Sequence, residues 1–425
     1  MWAFPMASPE RFKNSLAGFW LSDGMILTAA NLLGAAANYL FQAVMRRHLS
    51  WSEFGYLNTT IGVIMFAGVP LTAASQTVTH HLALVRAGGD PEKLERLQAA
   101  SLKFLRHLTW FLFAISLIFL YPVASYLRFP RMSLAWVALL WIPINLWSTL
   151  GGAWCAGLSR FRLYAFLLIL TGIVRLMAGD LIVRVYPWAE AGIVGCLLAG
   201  LVLASVVALS PHHGTAARLR QTLFDRELII YGIAAFAVSF AAFVFLQGDQ
   251  IIAQRHFPGV ELGRYSGAGL LGRAIVWASL PVLIVYFTRR SGHDPAHHDS
   301  PTRLLWAYLA LVGMGAIALI VLKKPLLLLL LGAHDPGLDE MTTQFAFTMI
   351  PIGVLQALGY HYLASRKILE CLVFGGCGFV YLVLLAVYGL TPSLMLLWMA
   401  LASCASIFLL GVLALIRKFS AAKPI

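Results

Sequence analysis

Charge is scarce in this sequence: Asp, Glu, Lys and Arg together make up 12% of 425 residues, against 60% hydrophobic ones. So little charge cannot cover a water-soluble globule, which excludes soluble folds. Alternation with a period of two is also missing, since runs such as "LLILTGIV" and "LVLASVVALS" are continuously apolar. That excludes a membrane barrel and leaves helices. Cysteine is sparse, and Cys155, Cys196, Cys371, Cys377 and Cys404 all fall inside apolar runs. They lack the exposed paired spacing of a disulfide framework or zinc site and read as small packing residues. The phosphate-loop pattern G-x-x-x-x-G-K-[ST] is absent, which argues against direct ATP hydrolysis. Every external loop is short, unlike the catalytic segments that membrane glycosyltransferases and polymerases need. The expectation is a chain that is not an enzyme and carries no cofactor or metal. No short apolar core precedes a small-residue cleavage site, so no removable signal peptide is expected. "SPERF" reads instead as a helix start on the inner membrane surface, with Ser8 as cap and Pro9 in the first turn.

What is present is a series of apolar runs, each about 20 residues long, as a membrane-crossing helix requires. They lie near 19–45, 54–79, 104–126, 133–157, 162–187, 190–210, 227–252, 262–288, 303–323, 339–364, 368–389 and 393–416. The expected fold is an all-α integral membrane protein with about twelve spans. If the N-terminus is cytoplasmic, twenty of the 31 Lys and Arg residues fall inside and nine outside, leaving Arg175 and Arg273 within the membrane. Basic residues of short loops are retained on the cytoplasmic side, so both termini are placed there. The net charge of +13 has the same origin, together with attraction to anionic lipid, and no basic surface domain exists to bind nucleic acid.

The chain writes one polar hinge twice, as "RRHLSWSEFG" from Arg46 and "QRHFPGVELG" from Gln254. An offset of 208 carries Gln42 to Gln250, Arg47 to Arg255, His48 to His256, Glu53 to Glu261 and Gly55 to Gly263. The same offset joins "IPINLWSTLG" from Ile142 to "IPIGVLQALG" from Ile350, so the repeat extends over a six-helix half. Six is even, so the halves share one orientation and form two parallel six-helix bundles about an axis along the membrane normal. The expected lobes are 1–210 and 227–425, joined by a cytoplasmic linker at 211–226.

The first loop with "EFGYLN", and the seventh span with "LQGDQIIAQRHFPGVELGRYSGAGLL", resemble the polysaccharide flippases of the multidrug/oligosaccharidyl-lipid/polysaccharide exporter superfamily. That family's pattern, an Asp followed after a short turn by Glu-x-Gly-x-Tyr and small residues, matches Asp249, Glu261, Gly263, Tyr265, Ser266, Gly267 and Ala268. The resemblance implies two bundles in a V that open alternately to each side and move a lipid-linked sugar outward. Twelve spans fit the Wzx-type branch better than lipid II flippases. The partners so implied are a lipid-linked (undecaprenyl-diphosphate) oligosaccharide, membrane lipids and, as a candidate, polysaccharide polymerase machinery. A cation-coupled drug or metabolite antiporter of the same superfamily is the alternative. A major-facilitator transporter is disfavoured, because "ALVRAGGDPEKLERL" replaces the basic-glycine signature expected between spans two and three. Asp90 and Pro91 in that stretch read as a cap and first turn.

An anionic diphosphate calls for positive charge at membrane depth, where an unpaired charge costs about 2.5–3.5 kcal/mol on insertion scales. Arg273 lies about 17 Å along its span from Leu262, and Arg175 has a comparable interior place. Both are candidates for diphosphate contact, with an inter-helix ion pair as the equal alternative. Asn31, Asn38 and Gln42 share a face of the first span and mark a cavity wall or polar helix packing. Asp249, expected near the outer surface, and Asp23, Arg47 and Arg255 are candidates for cation binding or gating, with structural pairing as the alternative for Asp249. Asp180 and Arg184 are four apart and read as a local ion pair. Pro70, Pro143, Pro281 and Pro351 interrupt spans and are expected to kink them. The His80–His81, His212–His213 and His297–His298 pairs have no ligand spacing on a fixed element and read as loop or span-end residues.

Overall fold

The computed structural model describes residues 23–87, 89, 91–158, 160–209, 226–257, 259–291, 300–333 and 336–421. It is 93% helical, with no strand among the described residues. The first half comprises α1 (Asp23–His48), α2 (Trp51–Ala67), α3 (Val69–Ala87), α4 (Pro91–Tyr126), α5 (Met132–Gly157), α6 (Phe161–Val185) and α7 (Ala189–Ala208). The second comprises α8 (Arg226–Phe243), α9 (Asp249–His256), α10 (Val260–Ser291), α11 (Ser300–Leu326), α12 (Pro336–Ala364), α13 (Ile368–Tyr388) and α14 (Pro392–Ala421). A π-helical turn, Val244–Gly248, joins α8 to α9 in one span, and another, Leu327–Leu331, extends α11. Ten helices are long and apolar enough to cross a membrane, and the α2–α3 pair, bent by 49°, makes an eleventh. The twelfth segment is α1, in which Asn31, Asn38 and Gln42 dilute the apolar character. Ser8, Pro9, Asp90, His212–His213, His297–His298 and the linker positions 211–225 lie outside the described residues.

Pro143 and Pro351 sit inside α5 and α12, at matching places in the two halves. Near Pro70 the chain does not kink at the proline. It breaks at Gly68, and Pro70 becomes the second residue of α3, where its missing N–H costs nothing. Pro281 lies within α10.

Water cannot satisfy backbone groups in the bilayer, and lipid offers no hydrophobic drive between helices, so packing and side-chain hydrogen bonds assemble the bundle. In the first lobe α1 lies along α6 and α7 packs on α5 and α6; in the second, α10 packs on α11 and α12 and α8 on α13. The lobes meet where α2 crosses α10 and where α3 runs beside α8. The face where α1 starts is here the near face, and the face where it ends is the far face. At the far-face crossing stand the two repeat-related glycines. A Cβ at Gly55 would come within 3.0 Å of the Gly263 nitrogen, and one at Gly263 would overlap the backbone of Trp51. The duplicated Glu-x-Gly motif thus brings both copies of its glycine to one crossing.

The larger apolar core spans both lobes; in the second, the tilted rings of Phe245 and Tyr381 lie 4.7 Å apart and those of Tyr265 and Phe345 5.0 Å. A smaller one, with Leu71, Leu82, Leu105, Leu150 and Trp154, joins α3, α4 and α5. The far end of α4 closes with Phe129 N–H on Ala124 O (3.0 Å) and Arg128 N–H on Ser125 O (3.1 Å). Arg128 occupies the left-handed position of this cap (φ 52°), where glycine is usual and a side chain costs roughly 1–2 kcal/mol.

Candidate functional site

A π turn leaves backbone carbonyls without regular helical partners, and in the second lobe three neighbouring spans supply donors. Arg273 Nε of α10 donates to Leu246 O at 2.8 Å, Tyr381 Oη of α13 to Phe245 O at 3.3 Å, and Gln356 Nε2 of α12 to Ala242 O at 2.7 Å. Immediately past the turn is Asp249, fully buried. Its Oδ2 accepts from Arg273 Nη2 at 2.5 Å and from Tyr265 Oη at 2.7 Å, while Oδ1 has no partner. Arg273 is 5% exposed, with its guanidinium 5.6 Å from the Phe345 ring. Next along α9, Gln250 Nε2 donates to Ser266 Oγ at 2.6 Å and across the lobes to Thr59 Oγ1 at 3.3 Å.

This geometry corrects two expectations. Arg273 does not stand free for a diphosphate; it is sealed against Asp249, whose carboxylate offsets the cost of a charge at this depth. Asp249 is not at the outer surface beside Arg255. It lies seven residues before the end of α9, about 10 Å down, on the side turned into its own lobe. The motif residues Asp249, Tyr265 and Ser266 do come together, around a partner assigned a separate role from sequence.

The first lobe is arranged differently. Arg175 Nη1 of α6 donates to Asn38 Oδ1 of α1 at 2.7 Å. Its Nε is buried without a partner, and among the described residues Arg175 enters no ion pair. Gln42, one turn beyond Asn38, is buried with Oε1 unpaired. Asn31 turns back on its own helix, to Leu27 O at 3.0 Å. The side chain of Asp23 lies outside what is described. Asp180 and Arg184 form the local pair expected of their spacing, at 3.0 and 2.7 Å.

At the far face the repeat-related arginines each reach the opposite lobe. Arg47, at the end of α1, donates to Leu329 O at the end of α11 (2.9 Å). Arg255, at the end of α9, reaches Tyr126 O at the end of α4 (3.5 Å), with its guanidinium 5.3 Å over the Tyr126 ring. Each cation thus meets the exposed carbonyl end of the partner lobe's third span, where the helix dipole favours positive charge.

One cluster escaped the sequence reading. Arg131, just before α5, holds Glu53 at 2.8 Å and Glu190 at 3.0 Å, and stacks 4.1 Å over Trp188. Ser133 Oγ donates to Glu190, and Ala189 N–H to Glu53. Burial works against the Arg131 charge, but the bonds to Glu190 and Glu53 outweigh it and hold its pKa above the ordinary value. The available signal was local: Ser50 accepts from Glu53 N–H in an S-x-x-E capping pattern that opens α2. Four cysteines are buried and all five are free, and the described residues contain no group able to hold a metal.

The sequence matches no family model and no curated protein. Among solved structures, an inward-facing multidrug resistance MATE family transporter of the MOP superfamily aligns with a TM-score of 0.67 at 12% identity. The alignment covers 94% of this chain and 100% of that one. The lipid II flippase MurJ, in an inward closed conformation, aligns at 0.63 and 13% identity, over 91% of this chain and 86% of that one. A MATE transporter of Vibrio cholerae aligns at 0.62 and 13% identity, over 93% and 97%. The chain shares their fold. It is a multi-pass membrane helix bundle, laid out as two parallel six-helix bundles.

Proposed function

We propose that this protein is a flippase that carries a lipid-linked (undecaprenyl-diphosphate) oligosaccharide across the bacterial inner membrane by alternating access. The observation that carries the reading is Arg175: a guanidinium midway along a span, hydrogen-bonded among the described residues only to a neutral amide and left with a buried, unpaired Nε. A cation in that position is stabilised by an anion that comes and goes, and a planar guanidinium suits diphosphate oxygens. Asn38 orients Arg175, and Gln42 adds a polar group for the glycan. The rocking bodies are residues 1–210 and 227–425, linked at 211–226, with both termini cytoplasmic. Arg47 and Arg255 gate the far face, since each bond joins the lobes where they must part. Polysaccharide polymerase machinery is the partner class that would consume the product. The test is flipping of a fluorescent undecaprenyl-diphosphate oligosaccharide by purified protein in vesicles. Arg175→Ala is expected to lose transport while remaining folded, and Arg175→Lys to keep part of it; wild-type rates for Arg175→Ala would overturn the assignment.

A second reading, a cation-coupled drug or metabolite antiporter, is favoured by Asp249, whose buried, unpaired Oδ1 leaves an acceptor open to a cation. Extrusion of drugs with no flipping of the lipid-linked sugar would decide for it.

A further inference from the structure

A cavity of about 530 Å³ opens between the lobes and runs from mid-membrane to the far face. The first lobe lines it with Phe66, at the α2–α3 bend, with Leu112 and Phe119 of α4 and with Ala138 of α5; the second lobe adds Phe240 and Ile251. Among the described residues its polar side chains are Ser116 and Tyr126 alone. A cavity with so few polar partners does not hold ordered water, and its volume is that of a ligand pocket. At this depth its occupant is hydrocarbon. The rim identifies whose hydrocarbon. Arg255 reaches Tyr126, a lining residue, by its longer contact of 3.5 Å. Arg128 stands between the lining residues Leu127 and Phe129, exposed, in a left-handed conformation that glycine would adopt without strain. Two arginines at the mouth of a dry slot, Arg128 exposed and Arg255 half-buried, match a lipid with a phosphorylated head and a long chain. Bulk acyl chains need no such rim.

We infer that this slot binds the head-proximal isoprenoid chain of the lipid carrier at the far face, with its phosphate on Arg128 and Arg255. The inference rests on the flippase reading and adds to it a docking site for the lipid part of the cargo, apart from Arg175. Because both lobes wall the slot, its shape changes as they rock. A phosphate on Arg255 also competes with the Tyr126 carbonyl for the same donors, so arrival of the head loosens one far-face contact.

The test uses the full chain in lipid nanodiscs and an undecaprenyl phosphate bearing a photoreactive group near its head, which requires no transport. Labelling is expected on α4 between Leu112 and Leu127 and on span seven between Phe240 and Ile251, and excess unlabelled undecaprenyl phosphate should remove it. Ala138→Trp fills the slot and should cut labelling about tenfold, as should Arg128→Gly, which removes a charged phosphate contact. Arg128→Gly relieves backbone strain, so its unfolding temperature should be unchanged or higher, which separates lost binding from lost fold. Labelling spread evenly over lipid-facing helices, or removed equally by phosphatidylglycerol, would overturn the site in favour of bulk lipid. Flipping without slot labelling would discard this inference alone, and slot labelling without flipping would discard the flippase reading alone.

Discussion

The two lobes share a skeleton and differ in where they keep their charge. Arg47 and Arg255, Gly55 and Gly263, and Pro143 and Pro351 occupy matching places. Inside, the second lobe neutralises its deep arginine with Asp249, which a tyrosine also holds, while the first leaves Arg175 with an amide. A buried charge closed by a counterion holds a lobe together, whereas one without a counterion is available to a ligand. The duplicated plan thus keeps its deep arginine paired with a carboxylate in one half and, among the described residues, with no counterion in the other.

The largest way to break that contrast is to remove the counterion. Asp249→Ala should destabilise the second lobe by about 3–5 kcal/mol, because it strands Arg273, and Asp249→Ala with Arg273→Met should recover most of the loss. Thermal unfolding in detergent reads both, and a mild effect for the single variant would mean that Asp249 is not the counterion that holds Arg273. Next comes Arg175→Ala, expected to lower flipping roughly a hundredfold with little change in unfolding temperature. A large loss of stability there would make the two lobes alike.

Smaller effects sharpen the comparison at the crossing. Gly263→Ala meets the backbone of Trp51, which cannot step aside, and should cost roughly 1–3 kcal/mol. Gly55→Ala meets mainly the Leu262 side chain, 2.9 Å from the added carbon, which can rotate, so its cost should be the lesser. Equal costs would show that the crossing adjusts from both sides. The smallest effect is at the far-face arginines: Arg47→Gln, losing a 2.9 Å bond, should widen the far-face spin-label distance distribution more than Arg255→Gln, which loses a 3.5 Å one. Each bond is worth about 0.5–1.5 kcal/mol.

Much of this plan was legible along the chain, since the spans and the Asp180–Arg184 pair depend on spacing within one segment and the 208-residue repeat on matching two segments by their residues alone. Asp249 with Arg273 was not, although both were singled out. They lie 24 residues apart on different helices, and the π turn that sets their faces has no signature in helical periodicity. Arg131 with Glu53 and Glu190 was hidden for a similar reason, since three spans must meet before the cluster exists. The break at Gly68 shows the converse: Pro70 marked the bend, but glycine placed it two residues earlier.

The π turn at Val244–Gly248 amounts to one surplus residue wound into span seven. Winding it out into α geometry would advance everything beyond it by one position, about 100° around the axis. Asp249 would leave Tyr265 and Arg273, and Arg255 would leave Tyr126 in the same stroke, because both stand beyond the turn. The span is built as a crank, in which a twist made at one place moves a buried carboxylate and a distant latch together without any contact between them.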